Sequence, residues 1–266
     1  RDFILRHRAS NGGFHNRDGV GDLYYTVFAI DGLTALQVEP DKETLTAFAR
    51  SSTDLDSLDF VHLCCLASIF GALDASSTEV EPVLERIESF RTGDGGYAQS
   101  PKAKSTSTYG CFLAYRAYSD NKAMPPNPEA FANSIAGLRL DEGGWVNEKA
   151  IPIPNVPSTA AGVSLSRNLH LPVTDSTTEY LLASAHREGG FLAFPGAPMP
   201  DLLSTAVALH ALDGLQADFS SLKESSLDFV DSLWNAEGGF HGNWTDDALD
   251  LEYTYYGLLA LGHLSL

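Results

Sequence analysis

The chain has 266 residues, 44% of them hydrophobic, with 35 acidic against 17 basic side chains and a formal charge of −18. That length and apolar content suit one sizeable core. The acidity excludes a general nucleic-acid binder, which needs clustered Lys and Arg to neutralise phosphates, and disfavours an anionic membrane surface.

No apolar run is long enough to span a bilayer, and no signal-peptide pattern opens the chain at Arg1, so a cytoplasmic location is the expectation. Cys64, Cys65 and Cys111 are odd in number and sit in apolar runs, which points to reduced, buried thiols.

In chain order, residues 1–8 predict a first outer helix, followed by the phrase Asn11-Gly12-Gly13-Phe14 and a small-residue helix, TVFAIDGLTAL, opening at Thr26. The second unit has Ser51-Ser52-Thr53 leading directly to Asp54 in place of a glycine pair, then FVHLCCLASIF from Phe60. An amphipathic segment, Glu81–Arg91, precedes Asp94-Gly95-Gly96-Tyr97 and TYGCFLAYRAY from Thr108. Glu142-Gly143-Gly144-Trp145 precedes TAAGVSLSRNL from Thr159. Thr177–Arg187 and Glu188-Gly189-Gly190-Phe191 lead to TAVALHALDGL from Thr205. Ser221–Trp234 and Glu237-Gly238-Gly239-Phe240 lead to TYYGLLALGHL, which runs from Thr254 toward Leu266.

A recurring unit of roughly 45–50 residues marks a repeat architecture, because no unit buries its apolar face alone. The small-residue segments are apolar on nearly every side and predict helices buried all round, while the segments between them keep one wet face. Six hairpins of this kind predict a single all-α domain over residues 1–266, an α6–α6 toroid of inner and outer helices. The glycine pairs are expected where a helix stops and the chain reverses, with positive φ at a C′ position.

The sequence Gly-Gly-aromatic, then Asp-x-x-x-Thr, then a small-residue helix ending in Ala-Leu, resembles the prenyltransferase and squalene-cyclase repeat along essentially the whole chain. The resemblance implies an α6–α6 toroid with a central apolar funnel. It also implies chemistry at the mouths of the inner helices, at positions −4, −2 and −1 before the aligned residues Thr26, Phe60, Thr108, Thr159, Thr205 and Thr254. Position −4 is then Asp22, Asp56, Lys104, Asn155, Asp201 and Asp250; position −2 includes Tyr24, Leu203 and Glu252; position −1 includes Tyr25, Asp59 and Tyr253.

In the protein prenyltransferase β-subunits of that family, an Asp and a Cys of the fifth unit and a His of the sixth hold zinc. This chain has Asp201, Leu203 and Tyr253 there, so neither zinc nor any other metal or cofactor is expected. The diphosphate-binding positions read Pro195, Pro198 and Asn155. Class II cyclases of the family protonate an alkene with the middle acid of Asp-x-Asp-Asp-Thr, and the matching segment here is Asp250-Leu251-Glu252-Tyr253-Thr254.

The expected catalytic set is therefore Glu252 as acid, Asp250 as its tuner, Tyr253 as a lining donor, and Asp201. Tyr24, Tyr25, Tyr256, Lys104, Asp56 and Asp59 are the expected substrate-binding set. The acids have a structural reading too: Asp at −4 sits where an N-cap belongs, and Asp56 and Asp59 are spaced like a capping box. His15, Asp18 and Asp22 form a loose metal-like grouping. His62, His210 and His263 fall at different depths on their helices and predict no ligand set.

The expected function is the handling of an isoprenoid, or another apolar small molecule, in the funnel. The alternatives are a non-catalytic toroid that binds a helical partner subunit, and a carbohydrate-active toroid using paired carboxylates.

Overall fold

The computed structural model describes residues 1–15 and 19–265. Asp18 and Leu266, named above, lie outside the described residues. The chain divides into two compact units, Arg1–Phe131 and Ala132 onward.

The first unit holds α1 (Asp2–Arg6), a two-residue antiparallel ladder of β1 (Phe14–His15) and β2 (Gly21–Asp22), α2 (Leu23–Ala35), α3 (Lys42–Ser51), α4 (Phe60–Ala72), α5 (Ser77–Glu88) and α6 (Thr108–Asp120). Helix α7 (Pro128–Ala136) runs across the division. The second unit continues with α8 (Val156–Asn168), α9 (Asp175–Ala183), α10 (Leu202–Gly214), a single 3-10 turn, α11 (Lys223–Ser232) and α12 (Leu251–Leu264). The even-numbered helices are the six small-residue segments, and the odd-numbered ones are the amphipathic partners.

The even helices bury most of their surface. In α4 every residue from Leu63 to Phe70 is buried, as an all-round apolar segment requires. Within the first unit α4 packs on α2 and α6, and within the second α10 packs on α8 and α12. Cys64, Cys65 and Cys111 are free and buried, as expected. Among the described residues no helix is long and apolar enough to cross a membrane.

The glycine pairs do something other than stop helices. Helix α9 ends at Ala183, and Gly189 comes well after its C-cap, Ser184. The intervening chain forms a minute β-hairpin, with Ala185 and Phe191 as bridge partners. The N–H of Gly189 donates to His186 O at 3.0 Å, and the N–H of His186 donates to Gly190 O at 2.9 Å. This is a three-residue hairpin loop closed by a residue at positive φ. Gly189 has φ +96°, and a Cβ there would stand 1.9 Å from Ser225 O of α11. Glycine is thus required both by the turn and by close approach to the next amphipathic helix. The other four phrases form the same bridge: Arg8 with Phe14, Arg91 with Tyr97, Arg139 with Trp145, and Trp234 with Phe240. The predicted segment Glu81–Arg91 overran into one of them, because Arg91 is already a bridge residue and α5 stops at Glu88. Ser51-Ser52-Thr53 forms no such bridge.

The aromatic of each phrase packs on the even helix that follows it. A Cβ on Gly162 of α8 would meet the Trp145 ring at 2.5 Å, and one on Gly257 of α12 would meet Phe240 at the same distance. Trp145, Phe191 and Phe240 are at most 3% exposed and belong to the core of the second unit. Burial of this kind contributes on the order of 3 kcal/mol per side chain.

Candidate functional site

The entrances to α2, α8, α10 and α12 are each built by one residue pair. Asp22, Asn155, Asp201 and Asp250 are the N-caps of α2, α8, α10 and α12. Their side-chain oxygens accept the N–H groups of Tyr25, Ser158, Ser204 and Tyr253 at 2.7–2.9 Å. The aligned threonine is the fourth residue of the helix. Thr205 Oγ1 donates to Asp201 O at 2.7 Å and accepts the N–H of Phe191 at 2.9 Å. Thr26 does the same for Asp22 and Phe14, and Thr159 for Asn155 and Trp145. The threonine therefore ties the cap, the helix and the hairpin aromatic together.

Two entrances start later than the alignment placed them. Helix α4 is capped by Asp59, whose carboxylate accepts the His62 N–H at 2.9 Å, and α6 by Ser107. The residue that meets the hairpin in the third unit is Cys111, whose Sγ accepts the Tyr97 N–H at 3.4 Å. Cys111, not Thr108, is the equivalent of Thr205, and the second and third units shift by three positions. A sequence signal existed: the aromatic precedes this residue by 14 positions in Tyr97–Cys111, Trp145–Thr159 and Phe191–Thr205 alike. Asp56 and Asp59 are consequently not a capping box. Asp56 is an exposed loop residue paired with Arg86 at 3.1 Å. Lys104 is exposed in the loop before Ser107.

The expected site residues fall into two groups. Tyr24, Tyr25, Asp56, Asp59 and Lys104 belong to the first unit. There the Tyr24 ring meets Tyr25 and Phe28 edge-on at 5.5 and 5.0 Å. Asp59 pairs with His62 Nδ1 at 2.8 Å. Burial raises the carboxyl of Asp22 above its ordinary range, against the opposing pull of the Tyr25 N–H and of His62.

Asp201, Asp250, Glu252, Tyr253 and Tyr256 belong to the second unit, at and beyond the starts of α10 and α12, which pack together. Asp201 accepts from both the N–H and the Oγ of Ser204, at 2.7 and 2.8 Å, and burial raises its carboxyl despite them. Asp250 is 3% exposed and caps α12. Glu252, half-buried in the first turn of α12, is the acid of this group that does not serve as a cap. The Tyr253 ring covers Gly242, where a Cβ would stand 2.4 Å from it. Leu203 carries no donor atom, so Asp201, Leu203 and Tyr253 do not fit a zinc ion. Among the described residues no group of three or more His, Cys, Asp or Glu side chains is placed to hold a metal.

The approach loops of the second unit carry exposed apolar side chains among polar ones. Ile151, Ile153, Phe194 and Trp244 are 62%, 58%, 45% and 44% exposed, and each lies between a hairpin and the following even helix.

A second polar layer was not anticipated. Five residues past the structurally aligned position come Asp31, Ser68 and Arg116 in the first unit and His210 in the second. Asp31 and Arg116 form a two-oxygen ion pair at 2.9 and 2.7 Å, and Arg116 also reaches Asp120 at 3.3 Å. Together with Ser68 they line a cleft of about 170 Å³ toward the C-terminal ends of α2, α4 and α6. Burial raises the Asp31 carboxyl, with Arg116 opposing. In the second unit His210 Nδ1 and His263 Nε2 lie 3.0 Å apart. The two histidines, expected at different depths, thus meet through their side chains, while no group of three metal-ligating side chains forms among the described residues.

The family model of the prenyltransferase alpha-alpha toroid domain matches residues 1–61, 48–133 and 159–265. No curated protein matches by sequence. Among solved structures, the type II terpene cyclase MstE from Scytonema is similar at 12% identity and TM-score 0.69, covering 99% of this chain and 94% of that one. Protein geranylgeranyltransferase-I from Candida albicans, complexed with GGPP, is similar at 12% identity and TM-score 0.57, covering 91% and 90%. An inactive variant of the GH76A α-1,6-mannanase of Salegentibacter sp. HEL1_6, complexed with α-1,6-mannotriose, is similar at 11% identity and TM-score 0.68, covering 99% and 96%. These likenesses establish the α/α-toroid fold and leave the chemistry to the residues.

Proposed function

The chain belongs to the prenyltransferase α/α-toroid family, and on that premise we propose that it handles an isoprenoid at the entrances of the second unit's even helices. Zinc-dependent thiol prenylation is not part of the proposal, because Leu203 and Tyr253 replace the side chains that such a mechanism needs. The observation that carries it is the division of labour at the second unit's entrances. Asp201 and Asp250 are engaged as caps, while Ile151, Ile153, Phe194 and Trp244 offer large apolar surfaces on the approach loops.

Glu252 is the proton donor in this reading. It would transfer its proton to a terminal alkene carbon and leave a tertiary carbocation, which Tyr253 and Tyr256 stabilise through their ring faces. The toroid neighbours that carry geranylgeranyl groups are consistent with this substrate class.

A second reading, a carbohydrate-active toroid, is favoured by the mannanase likeness. It is the weaker one, because it needs two carboxylates directed at substrate, and two of the three acids here are caps. Incubation with geranylgeranyl diphosphate and with α-1,6-mannan separates the readings. A cyclised or rearranged isoprenoid, lost in Glu252→Gln, is expected. Depolymerised mannan with untouched isoprenoid would reverse the choice.

A further inference from the structure

The cleft of the first unit stands at the opposite ends of its helices from the entrances. A charge is costly in a helix buried nearly all round, yet Asp31 interrupts the apolar run of α2 and Arg116 that of α6. Gly71 of α4 lets the end of α6 come close, because a Cβ there would stand 2.6 Å from Asp120 O. Asp120 thereby joins Ser68 in lining the cleft, with Val27, Ile30 and Ile69 as its apolar wall.

Arg116 is drawn onto carboxylates: Nη2 donates to both Asp31 oxygens at 2.9 and 2.7 Å, and Nε donates to Asp120 Oδ2 at 3.3 Å. Two acceptors are left over. Asp120 Oδ1 takes no hydrogen bond among the described residues. Ser68 is only 6% exposed, and its hydroxyl makes no hydrogen bond among the described residues either. Buried hydroxyls are normally partnered, so this one marks the place of a polar group within the cleft. Two carboxylates against one guanidinium leave one negative charge, and the carbonyl ends of α4 and α6 add to it. Burial raises the Asp31 carboxyl, with Arg116 opposing and Asp120 adding to the rise, as befits acids that outnumber their cation. An anionic ligand would have to displace a carboxylate from Arg116. Among the described residues no three metal-ligating side chains meet, which leaves an organic cation.

We propose that this cleft binds a small aliphatic primary ammonium compound, whose head donates to Asp120 Oδ1 and Ser68 Oγ and whose chain lies on Val27, Ile30 and Ile69. A compact ammonium with three rotatable donors suits acceptors on separate helices. The cleft volume of about 170 Å³ matches about six water molecules, so a ligand of about six non-hydrogen atoms fills it.

Calorimetric titration of the full chain with n-pentylammonium, and with 1-pentanol and pentanoate as its neutral and anionic counterparts, tests the site. One site is expected, with the amine bound roughly tenfold or more tightly than the alcohol and no detectable binding of pentanoate. Ser68→Val removes an acceptor and fills the buried wall, and should weaken the amine by about tenfold or more; Asp120→Asn should weaken it by about tenfold. The control for loose attraction of a cation to an acidic surface is Asp228→Asn, at an exposed acid of α11 in the second unit, which should change nothing. Alcohol or pentanoate bound as tightly as the amine overturns the proposal, and so does wild-type amine affinity in both cleft variants or an equal loss in Asp228→Asn. Absence of any amine binding overturns it too, and makes the cleft a hydrated crevice only. Should Ser68→Val fail to fold, Asp120→Asn decides, because that side chain is 34% exposed; unchanged amine affinity there overturns the proposal as well.

Discussion

Replacing Thr205 by valine isolates what the repeat threonine contributes. The two side chains have nearly the same shape, and Thr205 is fully buried, so no cavity opens. Two hydrogen bonds disappear, but their costs are unequal. Asp201 O still accepts the Thr205 N–H at 3.0 Å. The Phe191 N–H, which donated to Thr205 Oγ1 at 2.9 Å, faces a methyl group inside the core. An orphaned buried donor costs about 1–3 kcal/mol, so the expected loss is roughly 2 kcal/mol. Thr205→Ser keeps both bonds and removes one methyl group, at about 1 kcal/mol. Trp145, Trp234 and Trp244 all lie in the second unit, so tryptophan fluorescence during urea unfolding reports on the affected part of the chain. The midpoint should fall with the slope unchanged. A valine variant within about 0.5 kcal/mol of wild type, or one more stable than the serine variant, would refute the assignment of the bond to Phe191.

Three further outcomes are expected. Thr159→Val should match Thr205→Val to within about 1 kcal/mol, since Thr159 serves Trp145 with the same geometry; urea unfolding checks it. Gly189→Ala should cost roughly 3 kcal/mol or more, while Gly196→Ala should cost about 1–2 kcal/mol. Gly196 also has positive φ (+85°) but has nothing within 4 Å of the added carbon, so the difference in melting temperature reads out the clash with Ser225 and Phe229 of α11. Glu79 is held down to about 2, first by the Arg50 hydrogen bond and then by Ser76. A carboxyl depressed in the folded state gives stability present above the unfolded value near 4.5 and lost as pH falls toward 2. NMR titration should place the Glu79 midpoint near 2 and move it upward in Arg50→Gln.

Six hairpins could be read from periodicity because glycine pairs, aromatics and small-residue helices recur in one order. What the repeat hid was its own slippage. Thr108 imitates the aligned threonine, yet it opens α6 instead of sitting one turn inside it, and Cys111 takes that place. Capping was legible for Asp22, Asp201 and Asp250 because their spacing to the threonine matches a helical turn. It misled at Asp56, because two acids three apart look alike whether or not a helix has begun. The ion pair of Asp31 with Arg116 joins residues 85 positions apart, and the histidine contact joins residues 53 apart. Neither distance leaves a trace in local pattern. Glu252 is singled out only by the family register, since nothing about an acid in a first helical turn distinguishes chemistry from charge complementarity with the helix end.

The hairpins have a consequence for how such a chain can lengthen or shorten. The turns of the first four phrases are seated on the amphipathic helix of the following repeat: Gly12 against Thr44, Gly95 against Ala130, Gly143 against Ser176, Gly189 against Ser225. The Thr177 hydroxyl also donates to Gly143 O at 2.9 Å. A genetic cut placed at the apparent start of a repeat, before its amphipathic helix, would separate tongue from socket and leave one of each unmatched. A cut between an amphipathic helix and the hairpin that follows it keeps these seated pairs whole. The exchangeable module of this protein therefore opens at its most visible motif, and gain or loss of whole repeats should leave its scars at the ends of the amphipathic helices, as at Ser184 after α9.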